Sequence, residues 1–283
     1  MRSVRYTRVD VFTDRPLAGC PLAVVTHAAG LSDASLLGIA RELGPSSATV
    51  FVLPGQGGIH ARLRCFTPAR EVPFAGHAVL GAAFVIGTSV QLDVLTLSTG
   101  LGPVQVALER EGARVISGTL VLPLPAPRSP EANGALLAAL GVEGPGLSPT
   151  TFDLGGTHTL LALSRAEALA SLRPDPHRLA ALPAGAYGVF AADGPRARLR
   201  VFSPALGLPE APASATGAGL VAAHLVLSGA LPSGTPVEVS EGSELGRPSS
   251  LLATAWRTGD VLQRIEVQGT AVIVGRGELK LLL

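Results

Sequence analysis

With 283 residues the chain is long enough for one large domain or two ordinary ones, and 22 basic against 21 acidic side chains leave a net charge of +1. That balance gives no electrostatic footprint for nucleic acid or for an anionic membrane. Hydrophobic residues make up 47% of the chain, yet its longest uncharged stretch near the middle, Ala78 to Leu92, is broken by glycines and polar residues and falls short of the ~20 apolar residues of a spanning helix.

The first residues, with Arg2, Arg5, Arg8 and Asp10 in an alternating pattern, hold no apolar signal segment, so a cytoplasmic protein is expected. Arg5 to Phe12 reads as a strand, and Ser32 to Leu43 as an amphipathic helix with Ser32 as N-cap. Strands follow at Ala48 to Leu53 and at Arg62 to Pro68, then an apolar helix of small residues from Gly76 to Gly87. Val104 to Leu108 and Val115 to Leu122 alternate as strands. The proline-rich run Leu122 to Pro130 reads as a stiff linker, which divides the chain into an N-terminal lobe, 1–122, and a C-terminal lobe, 123–283, whose last strand is free to return to the first lobe. In the second half Glu131 to Leu140, Leu163 to Leu172 and Pro176 to Leu182 read as short helices. Thr159 to Leu163, Tyr187 to Ala191, Arg198 to Pro204, Val237 to Ser240 and Ala271 to Arg276 read as strands, with a second small-residue helix from Thr216 to Gly229.

The two halves echo one another. Arg62-Leu63-Arg64-Cys65-Phe66-Thr67-Pro68 returns as Arg198-Leu199-Arg200-Val201-Phe202-Ser203-Pro204, each copy followed by a loop and then one of the two small-residue helices. Both helices are apolar nearly all round, so each is expected inside its own lobe. Two such lobes would leave a cleft, a common place for a small-molecule site. The start of each buried helix carries unpaired N–H groups and partial positive charge; two starts facing one another would bind a carboxylate without lysine or arginine.

Four blocks, in order, carry a family resemblance. Val9-Asp10-Val11-Phe12-Thr13 with Ala18-Gly19-Cys20-Pro21-Leu22-Ala23-Val24-Val25 is similar to the opening motif of the PhzF family, and Glu71-Val72-Pro73-Phe74-Ala75-Gly76-His77 to its Gly-His segment. Glu210-Ala211-Pro212-Ala213-Ser214-Ala215-Thr216-Gly217 resembles its Glu-Asp-Pro segment, and Glu241-Gly242 with Gly246-Arg247-Pro248-Ser249 its closing Gly-Arg-Pro-Ser motif. The resemblance implies an α+β fold of the diaminopimelate-epimerase type, with two duplicated lobes of strands wrapped around a central apolar helix. It also implies a cofactor-free, homodimeric isomerase that moves a proton on a small carboxylic acid. The best-understood relative isomerises a dihydro-hydroxyanthranilate, using a glutamate, the Gly-His histidine and an aspartate.

Residue by residue, the match is incomplete. The glutamate position falls on Ser47 or Ala48, according to which side of Ala40 to Phe51 is aligned, and the aspartate position on Ala211. His77 matches without ambiguity, and its imidazole suits proton transfer near neutral pH, the more so if the helix dipole favours the neutral form. Glu210 is the surviving acid that could take over a base role; otherwise it is a loop charge. Thr216 keeps a hydroxyl for a ligand oxygen or for capping the helix. The candidate site is therefore His77 and Glu210 for proton transfer, with Ser46, Ser47, Gly76, Ala78, Thr216 and Gly217 around the substrate. Related racemases use one thiol from each lobe, but Ala75, Ser214 and Ala215 occupy those positions; Cys20 and Cys65 read as buried residues, and His224 as a core residue. No histidines stand at metal-ligand spacing. Three readings follow: an isomerase with reassigned proton transfer, a catalytically silent homologue that binds a small acid, or an enzyme with a different reaction, such as water loss, on the same scaffold.

Overall fold

The computed structural model describes residues 2–44, 47–128, 133–142, 149–183 and 185–281. In chain order the elements are β1 (Arg2–Val11), β2 (Cys20–Val25), α1 (Asp33–Leu43), β3 (Thr49–Pro54), β4 (Ala61–Phe66), β5 (Glu71–Val72), α2 (Gly76–Gly87), β6 (Val94–Thr99), β7 (Gly102–Glu111) and β8 (Arg114–Val121). They continue with β9 (Ala126–Arg128), α3 (Asn133–Leu140), β10 (Thr150–Asp153), β11 (Thr157–Leu163), α4 (Ala166–Ser171), α5 (Pro176–Ala180), β12 (Ala186–Asp193), β13 (Arg196–Ser203) and β14 (Leu208–Ala211). The last are α6 (Ala215–Leu227), β15 (Pro236–Glu241), β16 (Ser249–Thr258), β17 (Val261–Gly269) and β18 (Ala271–Leu281). The fold is α+β, as the sequence leads one to expect. The chain divides into two compact units, Met1–Val121 with Gln268–Leu283, and Leu122–Val267.

In the first unit β1 lies antiparallel to both β18 and β2, and β2 runs parallel to β3 after the α1 crossover. The ladder goes on antiparallel to β4, which pairs with β5 antiparallel and with β6 parallel, and then through β6, β7 and β8. Strands surround α2, which packs on β1, β2, β3, β6, β7, β8 and β18; every α2 residue except His77 and Ile86 is buried. Small side chains allow that approach. A Cβ on Gly81 would come 2.4 Å from Leu22 Cδ2 and 2.9 Å from Val11 Cγ2. The far end of α2 is held by Arg110, whose Nη2 donates to the carbonyls of Gly87, Val90 and Leu92 at 3.0, 2.9 and 3.0 Å, a cation where the helix dipole favours one. α1 is amphipathic, burying Leu36, Ile39, Ala40 and Leu43, and Ser32 caps it by accepting from the Ser35 N–H.

In the second unit β10 pairs antiparallel with β9 and β11, β11 runs parallel to β12, and β12 is antiparallel to β13. β13 pairs with β14 antiparallel and with β15 parallel, and β15 with β16 antiparallel. Taken from β10 to β16, this is the same succession of parallel and antiparallel pairings as from β1 to β7. α6 is buried except for His224 and Leu227 and packs mainly on β16. α3, α4 and α5 cover the other apolar side, where Leu136, Leu140, Leu169 and Leu179 meet Leu161, Val189 and Phe202. The proline-rich run differs from the expected linker. Ala126–Arg128 forms β9 against β10, because proline, which lacks an N–H, is tolerated in a short edge strand. Of the helix expected from Glu131, Asn133–Leu140 forms α3; Glu131 itself lies outside the described residues.

Candidate active site

α2 opens after Ala75, an extended residue whose methyl side chain cannot cap; its carbonyl accepts the N–H groups of Ala78 and Val79, each at 3.0 Å. The Ala75 N–H itself donates to the Cys65 thiol, which burial pushes up to about 12, so Cys65 is a neutral acceptor beneath the helix start rather than a nucleophile. Gly76 and Ala78 are buried and offer only backbone to a ligand. Between them stands His77. The residue is half-buried, but its Nε2 is wholly covered and has no partner among the described residues. Burial lowers the imidazole to about 4, so the ring is neutral at neutral pH. Desolvation is the cause of that shift, where the sequence suggests the helix dipole.

Of the stretch that the motif resemblance aligns with a glutamate, Ser46 lies outside the described residues. Ser47 is buried; its N–H donates to the Gly44 carbonyl at 3.2 Å and its Oγ lies 3.5 Å from Cys20 Sγ. Ala48 is buried beside it.

In the second unit α6 starts at Ala215, one residue before the sequence suggests, and the cap is Ser214 rather than Thr216. Ser214 is extended (φ −136°, ψ 104°) and its Oγ accepts the Gly217 N–H at 2.9 Å, whereas Thr216 already lies inside the first turn and is buried. Glu210, on β14, faces Arg200: the two Glu210 oxygens accept from Arg200 Nε and Nη2 at 2.8 Å each. Arg200 also donates to the carbonyls of Leu169 and Leu172 and lies over the Phe202 ring, 5.1 Å from its centroid. The first unit has the same strut, in which Arg64 grips Glu71 with Nε and Nη2, adds Asp33, and lies 5.2 Å from the Phe66 centroid. The Arg-x-Phe of the repeated segment is thus a fork that holds the strand after it. A base role for Glu210 would require it to leave this fork.

The α6 start has another acid, which the motif comparison leaves without a role. Glu241 ends β15 and is 2% exposed; its Oε1 accepts the Ser214 N–H at 3.1 Å, while Oε2 is covered and has no partner among the described residues. Burial pushes this carboxyl well above the usual range, the neighbouring Glu210 adds to the rise, and the Ser214 N–H opposes it. The signal was present in the alternation of Pro236 to Glu241, which sets Glu241 on the same face as buried Val237 and Val239.

His224 is a packed residue: its Nδ1 lies 3.1 Å from Thr150 Oγ1 and its ring meets Phe190 edge-on. Among the described residues no group of three His, Cys, Asp or Glu side chains is placed to hold a metal ion. An open groove of about 440 Å³ in the second unit, lined by Ser164, Asp193, Arg196 and Glu238 among others, contains none of the candidate residues.

Comparison with known proteins agrees with this architecture. The trans-2,3-dihydro-3-hydroxyanthranilate isomerase of Pseudomonas aeruginosa is 37% identical over 273 residues, covering 96% of this chain and 98% of that protein. Among solved structures, a predicted epimerase from Pseudomonas aeruginosa superposes with a TM-score of 0.82 at 31% identity, covering 98% of this chain and 99% of that one. A PhzF-family phenazine biosynthesis protein from Bacillus anthracis gives 0.84 at 21% identity, covering 99% and 100%, which shows the shared fold. The sequence model of the phenazine biosynthesis-like proteins (PhzC–PhzF) matches residues 9–277, and to that family this chain belongs.

Proposed function

We propose that the chain is an isomerase that moves a proton on a small carboxylic acid, with His77 as the group that carries the proton. The activity class is supported by the 37% identity to a trans-2,3-dihydro-3-hydroxyanthranilate isomerase, matched almost end to end. The observation that carries the residue assignment is the state of His77: neutral, at the start of a buried helix, with a covered and unpartnered Nε2. A neutral imidazole can take a proton from one carbon of the substrate and, as imidazolium, return it at another, while the electron pair left by the first C–H bond moves along the conjugated system. The backbone N–H of Gly76 at the start of α2, beside His77, would hold the substrate's carboxylate. Glu210 is assigned to the Arg200 fork rather than to the chemistry.

The replacements at Ser47, Ala48 and Ala211 favour a second reading, a carboxylate binder without turnover, because a general acid or base contributes about 10²–10⁴-fold in rate. Incubation with trans-2,3-dihydro-3-hydroxyanthranilate and related cyclic acids in D₂O separates the two. Deuterium entering at carbon, or a rearranged product, supports the isomerase. Calorimetric binding with neither supports the silent binder.

A further inference from the structure

The buried carboxyl of Glu241 has no task in the chemistry outlined above. Its surroundings hold it firmly against the segment before α6. Gly242 sits at φ +74°, where a Cβ would lie 2.2 Å from the Arg247 carbonyl oxygen and 2.5 Å from that of Pro212, so only glycine lets the chain turn this close. Ser249 Oγ donates to the Pro212 carbonyl at 2.9 Å from the other side. Ser214, two residues on, donates its N–H to Glu241 Oε1 and caps α6 with its Oγ. Glu241 therefore touches the backbone that sets the first turn of α6, with one oxygen committed and the other covered and unpartnered.

The charge of such a group decides what the helix start can bind. A neutral carboxylic acid leaves the positive end of the helix dipole free for an anionic ligand. An ionised one neutralises that end and repels a second carboxylate in a setting of low dielectric.

We propose that Glu241 is a positioning residue that sets the anion affinity of the α6 start: while protonated it fixes Ser214 and leaves the helix end to a ligand carboxylate, and when ionised it takes that role itself. This rests on the reading of the chain as a protein that binds small carboxylic acids. On the elements packed around Glu241 the charged or titratable groups are Glu210 on β14, paired with Arg200 of β13; Glu244 in the following turn, paired with Arg198; Arg247 in the same turn; Arg196 and Glu238, paired across β13 and β15; Arg257 on β16; and His224 in the last turn of α6. Of these, Glu210 is the one whose charge raises the Glu241 carboxyl.

Binding of 2-aminobenzoate, measured by calorimetry from just above the ordinary carboxyl range up to alkaline pH, tests the proposal on the intact chain and on Glu241→Gln. The amide keeps an acceptor for Ser214 and cannot ionise. Wild-type affinity should fall about tenfold per pH unit once Glu241 ionises, and Glu241→Gln should bind as well as wild type at the lower end with that fall removed. The same alkaline fall in both proteins, no fall in wild type, or weak binding by Glu241→Gln at every pH would overturn it. Absence of binding in both proteins overturns the carboxylate reading and the proposal with it, an outcome distinct from any of those three. A ligand-free arm reads protonation directly. Because the folded pKa is raised, the folded chain binds more protons than the unfolded one from the ordinary carboxyl pKa upward, so wild type loses stability as pH rises through that interval. The stability of Glu241→Gln relative to wild type should grow over the same interval, and a constant difference would contradict a protonated Glu241.

Discussion

His77 and Glu241 are two titratable side chains moved in opposite directions on the charge scale by one cause, burial. In each case burial favours the neutral form. For His77 the consequence for stability has a definite sign. Its folded pKa is about 4 against an ordinary 6.5, so between those values the unfolded chain binds more protons and stability falls as pH drops. His158, also lowered to about 4 by burial, acts in the same window. Denaturant unfolding of His77→Gln should therefore show a shallower loss between pH 6.5 and 4 than wild type, with His158 and His224, both lowered by burial, contributing to what remains; an unchanged slope would mean that His77 is not buried as described. His77 was legible from the sequence because a short motif fixes it at a helix start. Glu241 was not given a role, although its parity with Val237 and Val239 pointed inward, because a motif comparison weighs residue identity and not the face of a strand.

Among the elements, the two forks are the clearest repeated device. Arg200 and Glu210 are 6% and 13% exposed, and removing the acid leaves a buried guanidinium with two carbonyl acceptors and no carboxylate paired to its fork. Glu210→Ala should cost roughly 3–5 kcal/mol in urea unfolding. Glu71→Ala should cost about 0–1 kcal/mol, because Glu71 is 41% exposed and Arg64 keeps Asp33. Equal losses would show that the forks are equivalent in energy as well as in form. The helices were readable in advance: Ser32 marks the start of α1, and the all-round apolar character of α2 and α6 announces burial. The short strands β5, β9 and β14 were not. Two to four residues carry no period, and their pairing is imposed by β4, β10 and β13. The start of α6 was misplaced by one residue because Ser214 and Thr216 are both plausible caps, and only the backbone angles choose between them.

At the scale of the whole molecule, chain order and compact units do not coincide. β18, at the far end of the sequence, lies along β1 from Arg2↔Leu281 to Val11↔Ala271, and belongs to the first unit. Phe12 closes that ladder: its N–H donates to the Thr270 carbonyl, and its ring occupies the space over Gly269. A chain ended after Val267 loses all of this and exposes β1 as an unpaired edge. Circular dichroism and limited proteolysis of that truncation should show the first unit unfolded. A native digestion pattern across residues 2–121 would contradict the assignment of β18.

Proton movement on a small carboxylic acid through His77, as proposed for this family member, is open to direct test. Deuterium incorporation at carbon into trans-2,3-dihydro-3-hydroxyanthranilate, followed by mass spectrometry across pD for wild type and His77→Gln, tests it most directly. Wild type should incorporate deuterium at a rate that declines only as pD falls toward the range where His77 becomes charged, and the variant should lose at least about 10²-fold at every pD. Incorporation by His77→Gln at the wild-type rate, or none by wild type with a tightly bound acid, would contradict it.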